Sequence, residues 1–199
     1  MASAAEARGR PSEGAREAVV EAARDLFMER EYDRVSTAEV LARSGVSRGA
    51  LYHHFPSKRD LFLAVYEASE RRVIQLVAAG TEGAATPFEA LLAAARRYLE
   101  LCEDDEEFRR IGLTQSRVVL GWEGWRSVAN ELGIGVAVAL VKASIEAGEL
   151  PALDAETTAL VLLGALIEAA MQIVVAEDRG EARRRSETVI VEMLEGLRR

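Results

Sequence analysis

An all-α fold is predicted, with an N-terminal three-helix domain holding a helix-turn-helix and a C-terminal helical bundle. Three observations predict it. Apolar residues recur at helical spacing along nearly the whole chain, with no convincing alternating strand pattern. The breaks between these stretches carry helix-capping residues. Charge is also divided unevenly: residues 1–80 hold 12 Lys+Arg against 12 Asp+Glu, so the remaining 119 residues carry all of the net −8.

The elements follow in order. Residues 1–12 read as a flexible tail, whose Arg8 and Arg10 with Arg16 are candidates for a basic arm. From Ala15 to about Arg30, Ala18, Val19, Ala22, Ala23, Leu26 and Phe27 form one apolar stripe. Ser36-Thr-Ala-Glu39 fits a capping box and opens a short second helix, which Gly45 closes because glycine tolerates the positive φ of a tight turn. Ser47 then caps a third helix through about His54, and Pro56 ends it. Ser57 to Asp60 is a second box, with aspartate in place of glutamate, opening a long fourth helix.

The small-residue stretch Gly80–Thr86 is the expected junction, giving a helix-turn-helix domain at 13–80 that includes the start of the fourth helix, and a second domain at 81–199. Thr86-Pro-Phe-Glu89 combines an N-cap, a proline at the first helical position and a boxing glutamate, and predicts a helix over 87–102. One or two short helices to about Leu120, a longer one over 122–147, another over 155–176 capped by Asp154, and a last over 181–198 complete the chain.

Composition excludes several classes. No stretch reaches the roughly 20 uncharged apolar residues of a membrane span, and the first 16 residues lack a signal-type apolar core, so the expected location is cytoplasmic. The single cysteine, Cys102, reads as a buried thiol. His53 and His54 are neighbours, and adjacent helical residues point about 100° apart, so a shared metal is not expected. Neither has a glutamate three residues before it, as a di-iron bundle requires, and no nucleophile elbow, phosphate loop or dinucleotide fingerprint appears. No enzyme activity and no cofactor are expected.

Residues 36–54 thus read as helix, glycine turn and helix, the plan that seats a recognition helix in a major groove. An ordinary helical hairpin has the same pattern. Between residues 34 and 59 five basic residues (Arg34, Arg43, Arg48, Lys58, Arg59) face one acid, Glu39. Arg48 offers a fork of donors for guanine or phosphate, Gly49 and Ala50 are small enough for close approach, and Tyr52 and His53 donate to phosphate. Lys58, one of only two lysines beside 23 arginines, starts the fourth helix, where exposed N–H groups also favour an anion; Ser36 and Thr37 start the second in the same way.

The run from Gly45 to Lys58, GVSRGALYHHFPSK, followed by Asp60 and Leu61, closely resembles the DNA-binding domain of the TetR family of bacterial transcriptional regulators. Ala22, Ala23, Leu26 and Phe27 in the leading helix match as well. The resemblance implies an Ω-shaped helical homodimer, most often a repressor, that releases a palindromic double-stranded operator when a small effector binds. Carried over residue by residue, it assigns DNA contacts to Ser36, Thr37, Arg48, Gly49, Ala50, Tyr52, His53 and Lys58, with His54 either a contact or half-buried support. Three positions depart from the family pattern: Glu31 replaces the glycine ending helix one, Leu41 a small alanine, and Ala50 a common threonine.

Beyond Thr86 the resemblance is confined to the helical plan. Tyr98, Phe108, Gln115, Arg117, Trp122, Trp125, Asn130 and Met171 supply the aromatic bulk and few polar groups of a small-molecule pocket, and equally of an ordinary core. The helix over 157–176 is apolar nearly all round and pairs with the last helix as the expected dimer interface, with Val161, Ala165, Glu168, Ala169, Gln172, Ile190 and Leu194 as candidates. Whether Glu168 and Gln172 serve the pocket or the interface is open at this level. A DNA-binding regulator without an effector is the alternative reading.

Overall fold

A computed structural model describes residues 11–198. Within them run α1 (Pro11–Glu29), a 3₁₀ turn (Tyr32–Arg34), α2 (Thr37–Ser44), α3 (Arg48–His54), α4 (Lys58–Ala79), α5 (Pro87–Asp104), a π-helical segment (Phe108–Gln115) continuous with α6 (Ser116–Glu146), α7 (Ala155–Val175) and α8 (Arg179–Leu197). Arg8 and Arg10 lie outside the described residues, while the Arg16 guanidinium lies 5.5 Å from the centre of the Phe55 ring.

Capping chemistry sets the boundaries. The Ser36 hydroxyl accepts from Glu39 N–H at 3.3 Å while the Glu39 carboxylate accepts from Ser36 N–H at 2.9 Å, the reciprocal box expected. Gly45 takes φ 67° and returns its N–H to Leu41 O at 3.1 Å, a left-handed turn that a Cβ would strain. The second box is only half made: Ser57 accepts from Asp60 N–H at 3.2 Å, but the shorter aspartate meets the Ser57 hydroxyl at 2.7 Å instead of its backbone. At α5, Glu89 reaches Ala85 N–H at 2.9 Å, one residue beyond the Thr86 cap. Asp154 caps α7 through Thr157 N–H at 2.8 Å, and Asp178, which the sequence reading missed, caps α8 through Glu181 N–H at 2.9 Å.

Buried side chains form two clusters that divide within α4. One joins Val19, Leu26, Phe27, Val40, Leu51, Phe55 and Leu61 to Tyr66, and it also takes in Ile111, Leu120 and Trp125 from the second half of the chain. The other runs from Val73 through α5, α7 and α8. By length and composition α7 is apolar enough to cross a bilayer, yet it packs against α5, α6 and α8.

The region 108–146 differs from the expected short helices. A Cβ on Gly112 would lie 2.5 Å from the Phe108 ring, so this position needs glycine, and the wider π turn leaves the Gly112 carbonyl free to accept from Trp125 Nε1 at 3.1 Å and Ser116 Oγ at 2.5 Å. Gly121, at φ 73° and ψ 172°, then breaks α6 one residue before the start expected for the long helix. The breakage comes from the backbone freedom of glycine, which periodicity does not register.

Candidate nucleic-acid interface and cavity

α3 is only seven residues long and is held by one side. Leu51 and Phe55 are buried against α1 and α4, while Arg48, Gly49, Tyr52 and His53 face outward, with Ala50 half-buried. The Arg48 guanidinium sits 5.6 Å from the Tyr52 ring centre, and the Tyr52 hydroxyl lies 3.3 Å from Thr37 Oγ1, so the first turn of α2 and the middle of α3 form one continuous polar surface. A Cβ on Gly49 would meet nothing within 4 Å. Its small size therefore serves the outside of the helix and not its packing. The His53 and His54 rings are 5.2 Å apart, edge to face, with His54 half-buried beside Phe55.

The positive charge is less general than the sequence count suggested. Arg43 forks onto Glu29 at 2.6 and 3.3 Å, and Arg59 turns inward to the carbonyls of Val119 and Leu120 at 3.4 and 3.2 Å. Lys58, expected at the DNA face, is also tied into its own domain: Nζ donates to Tyr32 O at 3.0 Å and Val35 O at 3.1 Å, and lies 4.0 Å over the Tyr32 ring. Two of its three donors close the 3₁₀ turn, leaving one for an external anion. Among the described residues, Arg34 and Arg48 have no acidic partner within 4 Å.

α4 leads from this face to a cavity of about 130 Å³ walled by α4, α5, the π segment, α6, α7 and α8. Tyr98, Phe108, Trp125 and Asn130 line it, as the sequence suggested. Four other candidates do not. Gln115 is buried but donates to Phe27 O at 2.8 Å, closing the end of α1, and Arg117 is stacked at 5.2 and 5.6 Å on Trp125 and Trp122 with Nη1 on the Met171 sulfur. Trp122 is half-exposed on the outer side of that stack, beyond the Gly121 break, and Met171 is engaged by Arg117. Sequence reading missed Glu70, an α4 carboxyl in the cavity wall that burial pushes up to about 8 against the opposing effect of the Tyr66 hydroxyl. Its only sequence signal was an acid on a face otherwise bearing Tyr66, Val73 and Val77.

The outer surface of α7 and α8 carries a shallow groove. Ala165, Glu168, Ala169 and Gln172 line it, with Val175, Val189 and Met193, and Gln172 donates to Glu168 at 3.2 Å. Glu168 and Gln172 therefore lie away from the cavity, which takes Leu162, Leu163, Leu166 and Ile167 from the same helix. Val161 is 62% exposed on this side. Ile190 and Leu194, two of the interface candidates, are buried in the protomer core, Ile190 also bordering the groove; Val189 projects outward beside them, and Met193 lies half-exposed between groove and cavity.

Two family descriptions match the chain: bacterial regulatory proteins of the tetR family over residues 19–65, and the tetracyclin repressor-like C-terminal domain over residues 88–197. The second alone covers more than half of the protein. The chain belongs to the TetR family. The TetC protein of transposon Tn10 from Escherichia coli is 27% identical over 148 residues, 74% of each chain. The transcriptional repressor AcnR of Corynebacterium glutamicum is 34% identical over 71 residues, 36% of this chain and 38% of that protein. The crystal structure of a TetR-family regulator from Pectobacterium atrosepticum superposes with a TM-score of 0.83 at 29% identity, covering 96% and 97% of the two chains.

As a TetR-family member the protein is a DNA-binding transcriptional regulator. Two of its three departures from the family pattern now have physical accounts. Glu31, in the glycine position after α1, has φ −64° and needs no left-handed turn, because Arg110 of the π segment holds its carboxylate at 3.0 Å and donates to Phe27 O at 3.0 Å. Leu41 packs half-buried against the N-terminal core without displacing Gly45.

Proposed function

We propose that this TetR-family regulator is a homodimeric repressor, working in the cytoplasm, that holds a palindromic operator and lets go when a small, partly apolar effector enters the cavity. Ser36, Thr37, Arg48, Gly49, Ala50, Tyr52 and His53 meet the DNA, with Lys58 mainly bracing the turn beneath them. The exposed faces of α7 and α8 meet across a twofold axis, where their apolar residues leave water. The protein does no chemistry on its effector and needs no cofactor.

One observation carries this reading: α4 begins four residues after the recognition helix ends, shares its buried cluster, and farther along becomes a wall of the cavity. An occupant that prefers another position of α4 shifts the spacing of the two recognition helices, and it does so only by its difference in affinity for the two arrangements. The test is operator binding followed by fluorescence anisotropy, with the operator taken from sequences selected by the protein itself. Addition of a compound that raises the melting temperature is expected to weaken operator binding at least tenfold. A tightly bound compound that leaves operator affinity unchanged overturns the effector part, and retention of operator binding by the double variant Arg48→Ala/Tyr52→Ala overturns the recognition surface.

A further inference from the structure

The cavity combines an apolar lining with one acid and no base. Among the described residues that line it there is no lysine, arginine or histidine, and its polar groups are Glu70, Tyr98, Asn130 and the Trp125 indole, whose N–H is already given to Gly112 O. The groups that bear on Glu70 are Tyr66 on its own helix and Tyr98 and Cys102 from α5; none carries a positive charge. Tyr66 has a single hydroxyl proton, and it is directed to Trp125 O at 3.2 Å. An ionised Glu70 therefore has only a share of the Tyr66 hydroxyl and no cation among the described residues of the lining, and burial keeps its proton on, up to about pH 8.

Gly112 protects this arrangement. A Cβ there would come 3.3 Å from Glu70 Oε1 as well as striking the Phe108 ring. The segment that forms the floor is thus built to leave the carboxyl room. Size bounds the occupant: an apolar void of about 150 Å³ accommodates a benzene ring, and this one measures about 130 Å³.

We propose that Glu70 anchors an effector consisting of a protonated amine on an apolar body of about one ring, and that the cavity refuses carboxylates of the same size. The inference rests on the effector reading above and supplies its chemical class. The apolar lining takes the hydrocarbon, and the carboxylate receives the charge-assisted hydrogen bond it otherwise lacks. A carboxylate would meet only a neutral carboxyl and would leave its own charge in an apolar lining with no cation to answer it. The proton balance is explicit: the amine arrives already protonated, the neutral Glu70 carboxyl gives its proton to solvent, and an ion pair remains.

The experiment is calorimetric titration of the full chain, without DNA, with benzylamine, benzyl alcohol and benzoate at about pH 6.5, in two buffers of different ionisation enthalpy. Benzylamine is expected to bind at least tenfold tighter than benzyl alcohol, to release close to one proton per site, and to lose that advantage in Glu70→Gln, which keeps its weak affinity for the alcohol. Equal binding of the three probes, no binding of the amine, or amine binding without proton release overturns the anchor; the last two readouts need only the unaltered protein, should Glu70→Gln fail to fold. A parallel operator titration separates this proposal from the broader one. Glu70-dependent amine binding without operator release leaves the anchor standing and removes the effector role, whereas release by benzyl alcohol alone, indifferent to Glu70, does the reverse.

Discussion

The Tyr66 hydroxyl donates to the Trp125 carbonyl at 3.2 Å, joining α4 to α6 one turn past the Gly121 break. Both side chains are fully buried, and Trp125 also forms cavity wall. Tyr66→Phe keeps the ring and removes this one bond. We expect a loss of about 1 kcal/mol, read by denaturant unfolding, and a reduced effect of any effector on operator affinity. An unchanged effector response would show that α4 is coupled to α6 through apolar contacts alone.

Arg48→Ala and Tyr52→Ala act on exposed side chains, and their stability cost is expected to stay within about 0.5 kcal/mol. Each should weaken operator binding by about 1–3 kcal/mol, measured by anisotropy at fixed salt. The two effects are not expected to add, because the guanidinium and the ring are in contact.

Lys58 gives the opposite pattern. Lys58→Met leaves the Tyr32 and Val35 carbonyls without their donor, so thermal unfolding should show a loss of about 1–3 kcal/mol. Lys58→Arg should not restore it fully, because a planar fork does not fill the place of a compact ammonium over the Tyr32 ring. Full stability in Lys58→Met, with operator binding alone impaired, would return this residue to the DNA face.

Two carboxyls set opposite limbs of the stability profile. Burial raises Glu70 from 4.5 to about 8, so between those values the folded protein keeps a proton that the unfolded chain has lost, and stability falls as pH rises through the window. Glu39 is lowered from 4.5 to about 2, first by the Ser36 hydroxyl, then by the Ser36 backbone and by Arg30; its contribution is present above 4.5 and lost as pH falls toward 2. Melts taken from about pH 3 to about pH 9 should therefore show Glu70→Gln flattening the alkaline limb and Glu39→Gln the acid limb. No change of the alkaline limb in Glu70→Gln would contradict the raised carboxyl.

On α8, neighbouring residues should fail differently. Val189→Glu places a charge on the groove surface and is expected to give a folded monomer by light scattering, whereas Ile190→Glu buries it in the protomer core and should prevent folding. Val175→Glu, at a position 77% exposed, should behave like Val189→Glu. A dimer that survives both groove substitutions would move the interface elsewhere.

What the amino-acid order determined by itself is local. Ser36, Gly45, Ser47, Thr86 and Asp154 act on backbone groups within four residues, so their helix ends are legible, and the outward face of α3 follows from which of its residues are apolar. Distant partners are not legible in this way. That Lys58 would turn to Tyr32 and Val35, Arg59 to Val119 and Leu120, or Gln115 to Phe27 depends on carbonyls 23 to 88 residues away. The cavity, the acid at its wall and the one-residue rotation that hides Ile190 and exposes Val189 were decided by packing, because a helix with apolar residues on several sides has no single direction until its neighbours are in place.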